Sequence, residues 1–179
     1  MKKKKKLSAS NADINRLYEE SVQCTEFEVD FINKLFKRYN NTKCKSLRED
    51  FCASALISAE WVLDNKENTA VAVDLDKNMV REAKKNSQMK LSDDQQGRLK
   101  IYYGDSSKFS KDKVDCVLAT NFSYFVFKER KKLINYFKHA YKQLKNKGIL
   151  MLDAFGGYEA HQILELSIMF LNYLHIQEN

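Results

Sequence analysis

Acidic residues recur at the ends of apolar runs in this chain. Asp50 lies in "SLREDFCASAL" (46–56), Asp74 in "TAVAVDL" (69–75), Asp105 after "LKIYYG" (99–104), and Asp153 in "ILMLDAF" (149–155). A carboxylate placed there accepts hydrogen bonds from hydroxyls and amines and attracts a cation. The first run is unusual: Arg48, Glu49 and Asp50 stand together, followed by the small residues Cys52-Ala53-Ser54-Ala55. A small-residue corner lets a ligand approach the backbone, and the carboxylates give that approach a negative field. Ala53 and Asp74 are 21 residues apart. That spacing fits a tight turn after one strand and an acid on the next strand that holds ribose hydroxyls.

Other chemistries lack their residues. There is no G-x-G-x-x-G and no G-x-x-x-x-G-K-[ST]. Glu49 and Asp50 beside the first turn would repel a pyrophosphate, which needs bare backbone N–H groups. No G-x-S-x-G, no H-E-x-x-H and no Cys/His set with zinc spacing occurs, so no metal site is expected. Cys52 has carboxylates for neighbours, which raise a thiol pKa, so it reads as a small core residue. His139, His161 and His175 read as structural or solvated.

Regular elements must position these acids. Residues 17–39 carry a helical stripe of Phe31, Ile32, Leu35, Phe36 and Tyr39. Residues 46–52 read as a strand, and 54–65 as a helix with Leu56, Ala59 and Leu63 on one face. Strands follow at 69–75, 99–104, 114–120 and 149–155, with Asp76 as N-cap of a helix through Met79, Val80 and Ala83. Leu133, Ile134, Phe137, Tyr141 and Leu144 mark a long helix ended at Gly148, and a last helix is expected from Tyr158. Strands alternating with crossovers predict an α/β open parallel sheet, covered by helices on both faces. Ligands of such sheets bind beyond the carboxyl ends of the strands, where the acids lie.

Composition bounds the rest. The chain has 179 residues, 44% hydrophobic and 31% charged, with no proline and five glycines. This predicts one domain over 11–179 behind a basic tail at 1–10. The net charge is +7, of which Lys2 to Lys6 supply five, leaving a slightly basic body. The tail reads as solvated, with a weak, salt-sensitive arm for RNA or an anionic surface as the alternative. Cys24, Cys44, Cys52 and Cys116 have no C-x-x-C spacing and read as reduced thiols, which with the absence of a signal peptide predicts a cytoplasmic protein. The apolar stretch "ILELSIMFLNYLHI" is broken by Glu165 and Asn172 and is short for a membrane span.

A ligand with an ammonium or sulfonium, a ribose and no phosphate suits this acidic rim, and S-adenosylmethionine is such a ligand. "LREDFCASALISAEWV", "AVAVDLDKNMV", "YYGD", "ATNFSYFVFKER" and "LMLDAFGGYEA" in that order resemble a group of class I S-adenosylmethionine-dependent methyltransferases with an L-R-E-D-F-C-G-T-[GA] first motif. The resemblance implies a Rossmann-like sheet of strand order 3-2-1-4-5. It implies that Asp50 faces the methionine amino group, directly or through water, that the cofactor lies along Phe51, Cys52 and Ala53, and that Asp74 chelates the ribose with Leu75 against the adenine. Asp105 would receive the adenine amino group, with Ser106 beside it. Asn121 and Phe122 would pass the methionine end. "NFSY" (121–124) also resembles the N-P-P-Y loop of amino-methyltransferases without its prolines, which makes Asn121 and Tyr124 candidate catalytic residues toward an acceptor amine.

The chain departs from this pattern twice. Ala53-Ser54-Ala55 replaces G-T-G/A, and alanine at a left-handed position costs roughly 1 kcal/mol or more. Family members also continue beyond F-G-G-Y-E-A with two further strands, whereas here the sequence runs into "HQILELSIMFLNYLHIQEN". The expectation is a sheet lacking those strands, from a shortened relative, an incomplete chain, or one that completes its sheet with a partner. An exposed fifth strand would then allow self-association. The expected function is methyl transfer to an acceptor the sequence does not name. The alternatives are a non-catalytic relative that keeps the scaffold as a binding or assembly protein, or another nucleotide-binding α/β protein.

Overall fold

The computed structural model describes residues 24–154 and 156. The lysine run, the start of the first helix at Leu17, the helix expected from Tyr158, and His161 and His175 lie outside them. Among the described residues the order is α1 (Thr25–Asn40), β1 (Ser46–Asp50), α2 (Leu56–Asp64), β2 (Thr69–Asp74), α3 (Lys77–Lys90), α4 (Asp93–Arg98), β3 (Leu99–Tyr103), β4 (Val114–Ala119), a 3-10 turn (Ser123–Val126), α5 (Arg130–Gln143) and β5 (Leu144–Leu152). The strands form one sheet of order β3-β2-β1-β4-β5, every pair parallel. The chain order reverses beside β1, which pairs with both β2 and β4, and this opens a crevice at their carboxyl ends.

Local signals explain most boundaries. Asp76 caps α3: its Oδ1 accepts the N–H groups of Asn78 at 2.7 Å and Met79 at 3.3 Å. Asn41 ends α1 in the left-handed region, φ 54°, and its N–H returns to the Lys37 carbonyl at 2.9 Å. The short α4 was not expected, although its signal is in the sequence. Ser92 and Gln95 form a capping box, each side chain accepting from the other's backbone N–H.

The main core lies between β1, β2 and the helices α1 and α2. Ile32, Leu47, Ile57, Trp61, Val62 and Ala72 are wholly buried there. The buried residues of α2 are Ile57, Ser58, Trp61 and Val62, whereas the expected Leu63 is 44% exposed. In α5 the buried positions are Tyr136, Ala140 and Gln143, so the helix is rotated away from the stripe its hydropathy predicts. The cause is polar. The Tyr136 hydroxyl reaches the Asp50 carboxylate at 3.0 Å, and Gln143 Oε1 accepts from the Ser110 hydroxyl at 3.2 Å.

The described connection from β3 to β4, residues 104–113, contains no helix. The connecting residues include Phe109, and β1 fills the space below with Arg48, 2% exposed. Its guanidinium donates from Nη1 to the Phe109 carbonyl and from Nη2 to the Ser106 carbonyl, both at 2.8 Å. His139 of α5 also meets the Phe109 carbonyl, Nε2 at 2.6 Å. One buried cation thereby satisfies carbonyls that a crossover helix would otherwise pair internally.

Candidate active site

The turn after β1 is left-handed at alternate residues: Phe51 (φ 56°), Ala53 (φ 44°) and Ala55 (φ 56°). Glycine would adopt these angles without a Cβ penalty, and each L residue costs about 1 kcal/mol. The turn is held by its neighbours. Cys52 N–H donates to the Val73 carbonyl at 3.1 Å, Ala55 N–H to the Cys52 carbonyl at 2.7 Å, and Phe51 N–H to Ser106 Oγ at 3.3 Å. Ala53 N–H donates to Asp74 Oδ2 at 2.8 Å. The 21-residue spacing of Ala53 and Asp74 is therefore a direct contact.

Asp74 is half-buried at the end of β2, and its Oδ1 accepts the Asp76 N–H at 2.8 Å. Each oxygen keeps a lone pair for a further donor. Leu75 beside it is 64% exposed and offers an apolar shelf. After the neighbouring strand β3, Asp105 Oδ1 accepts the Ser107 N–H at 2.9 Å and its hydroxyl at 2.6 Å, while Lys108 Nζ lies 3.5 Å from Oδ2. Burial works to raise the Asp105 pKa, but the Ser107 bonds and the Lys108 ammonium outweigh it and hold the carboxyl below its ordinary value. Ser106 is buried. Asp105, Lys108, Phe127 and Lys132 help line a cavity of about 410 Å³.

Beyond β4, Asn121 (φ 57°) and Phe122 (φ 54°) form a second left-handed pair. Their N–H groups donate to the two oxygens of Asp153, at 2.7 and 2.9 Å. Asp153 thus fastens this loop to β5. Phe122 is 40% exposed and stacks on Phe125 at 5.8 Å, and Tyr124 packs edge-on against Phe125 at 4.8 Å and against Phe137 at 5.9 Å.

Asp50 is placed differently from the other acids. It is 1% exposed, with Oδ1 accepting from Arg48 Nε at 2.7 Å and Oδ2 from the Tyr136 hydroxyl. Burial raises its pKa, against the Arg48 charge and the bonds from Arg48 and Tyr136. Strand alternation puts residues 48 and 50 on one face of β1, so the carboxylate lies on the same face as the Arg48 guanidinium that it accepts from. Phe51 covers it, its ring 5.5 Å from Tyr136 and 6.0 Å from Phe127.

Glu49 was not singled out as a site residue, yet it supports the turn from the opposite face. Its Oε2 accepts the Ser58 N–H at 2.9 Å and hydroxyl at 2.5 Å. Burial pushes its pKa up to about 7, against the Ser58 bonds and with the charges of Glu28 and Asp74. Its signal was alternation, since a strand with 48 and 50 on one face must bury 49 on the other. Glu28 of α1 leans over the same end. Burial and then the charge of Asp153 raise its pKa, and its Oε2 is buried without a partner among the described residues. Burial, with Glu49 and Asp74, also keeps the Cys52 thiol protonated. No group of described residues could hold a metal ion, and no described helix is long and apolar enough to cross a membrane.

Known proteins share this architecture. A methyltransferase from Clostridium acetobutylicum, described as S-adenosylmethionine-dependent, is 21% identical with a TM-score of 0.69, over 84% of this chain and 59% of that one. The sugar N-methyltransferase KedS8 of Streptoalloteichus is 16% identical with a TM-score of 0.66, over 89% of this chain and 60% of its own. The amino pentose methyltransferase CalS10 of Micromonospora echinaspora, solved with S-adenosylmethionine bound, is 11% identical with a TM-score of 0.66, over 87% and 61%. At these identities the likeness is one of fold, and the chain spans about 60% of the length of these relatives. No curated protein matches the sequence. The family model described as a methyltransferase domain matches residues 51–152, from the left-handed turn to the end of β5, and the chain therefore belongs to that class I methyltransferase family.

Proposed function

We propose that this chain binds S-adenosylmethionine at the carboxyl edge of its sheet and transfers the methyl group in line to an acceptor held beside the loop after β4. The observation that carries this reading is the left-handed turn Phe51–Ala55 docked on Asp74 through the Ala53 N–H. It keeps the backbone path of a glycine turn without glycine, next to a carboxylate with acceptor capacity to spare. Asp74 would accept from ribose hydroxyls, Leu75 would lie against the adenine, and Asp105 would accept from its amino group. When bound, the cofactor supplies a methyl already activated by its sulfonium. What remains for the protein is to orient the acceptor and exclude water. Asn121, on a turn clamped by Asp153, would accept from an amine, with Phe122 and Tyr124 contributed by the same loop. Relatives of this fold include enzymes named for sugar and glycopeptide N-methylation, which supports an amine as the acceptor class.

The buried Asp50 favours a second reading, a non-catalytic relative, because that carboxylate is already engaged by Arg48 and Tyr136. Calorimetric titration with S-adenosylmethionine, NAD and ATP tests both. Binding of the first alone supports the cofactor assignment, and its failure at millimolar concentration sinks it. Turnover against a panel of amines, lost in Asn121→Ala, supports catalysis; binding without any transfer leaves the second reading standing.

A further inference from the structure

The opposite edge of the sheet carries no part of that site, yet it is built with care. Val114 pairs with Leu144, but Cys116 pairs with Ile149, so β5 advances five residues while β4 advances two. Residues 145–148 therefore stand out of the ladder as a bulge. Gly148 permits it: a Cβ there would lie 3.0 Å from the Lys145 carbonyl oxygen and 3.1 Å from that of Asp115. Lys147 adopts φ 63°, a left-handed angle at a residue with a long side chain. The bulge is fastened at its base. Lys145 Nζ lies 3.1 Å from Asp115 Oδ1 and donates to Ser46 Oγ at 2.8 Å. Asp115 Oδ2 in turn accepts the N–H groups of Lys45 at 3.0 Å and Ser46 at 2.9 Å.

A groove of about 570 Å³ runs beside this bulge, lined by Lys113, Tyr141, Lys142, Lys145, Asn146 and Lys147 among others. Its lining holds four lysines and no carboxylate. Lys145 is paired with Asp115, but no carboxylate among the described residues pairs with Lys113, Lys142 or Lys147. Tyr141 stands among them 77% exposed. The dipole of α5 accounts for Lys142 in its last turn, but not for Lys113, for Lys147, or for a bare aromatic ring.

We propose that this groove docks single-stranded nucleic acid, with phosphates against Lys113, Lys142 and Lys147 and a base stacked on Tyr141. Ammonium groups beside an aromatic face are what a flexible polyanion with planar bases requires. An acidic peptide would satisfy the lysines but leave the ring without a role. The test is fluorescence anisotropy on the full chain with a labelled oligouridylate of about ten nucleotides. It is run with the native tail and with Lys2–Lys6 changed to glutamine. In both backgrounds Lys113→Gln/Lys142→Gln/Lys147→Gln should weaken binding at least ~10-fold and flatten the dependence of log K on log salt by about 2. Tyr141→Ala should weaken it ~5-fold or more at unchanged salt slope. Thermal unfolding checks that these exposed substitutions leave the fold intact. Unchanged affinity in the triple variant overturns the proposal. Equal competition by an oligoglutamate of matched charge, with Tyr141→Ala silent, overturns it in favour of an acidic protein partner.

Discussion

Arg48, Glu49 and Asp50 at the carboxyl end of β1, and Lys113, Lys142 and Lys147 around the groove beside the β5 bulge, are two sets of three charges in different parts of the molecule. The first set is 3% exposed or less, and each member has polar partners inside the protein. The second set is exposed, with no ion pair among the described residues. Buried charges near the crevice have lost their hydration and must be matched bond for bond, so they shape the turn above them. Exposed lysines keep their hydration and remain free to meet a ligand. A charge at the lip of a sheet is thus scaffold or surface according to burial, and among the described residues Asp74, Asp105 and Asp153 at the strand ends are partly exposed, between the two extremes.

This contrast can be broken first at Arg48. Arg48→Ala leaves Asp50 buried beside an empty site and should destabilise the protein by about 3–5 kcal/mol in urea unfolding. A loss below about 1 kcal/mol would remove the distinction between the two sets. Glu49 gives the next largest effect. Its folded pKa, about 7, lies above the ordinary 4.5, so the stability it contributes is fully present below pH 4.5 and is lost as pH rises through 7. The wild-type unfolding free energy should fall over that window by on the order of 3 kcal/mol, while Glu49→Gln should show no such slope.

Asp74→Asn sharpens the contrast at the crevice itself. It should weaken S-adenosylmethionine binding ~10-fold or more, seen by calorimetry, with a stability loss of only about 1 kcal/mol. Ala53→Gly and Ala55→Gly each release a left-handed residue and should raise stability by about 1 kcal/mol, read as a higher Tm. At the other lip, Lys113→Gln and Lys142→Gln should each change stability by less than about 0.5 kcal/mol. A larger loss would mean that those lysines are structural after all.

The β-branched runs, the capping Asp76 and the parallel order were legible because each rests on short-range periodicity and local hydrogen bonding. The Ala53–Asp74 spacing was legible because adjacent parallel strands bring residues about one crossover apart to the same edge. The rotation of α5 was not, since its hydropathy points to Ile134 and Tyr141 while Tyr136 and Gln143 are buried on polar partners. The cap on Asp50 was not legible for the same reason: nothing near it in sequence names a tyrosine hydroxyl 86 residues away.

By itself, the order of residues determined the strands, the crossovers, the small-residue corner and the lip on which its acids lie. Tertiary structure decided which of those acids are buried and which stay partly exposed. Asp50 and Tyr136 are 86 residues apart and Arg48 and Phe109 61, and these contacts turn a row of charges into buried support. Periodicity is set by the backbone within a few residues, whereas the hydration a charge keeps depends on what the whole fold packs against it.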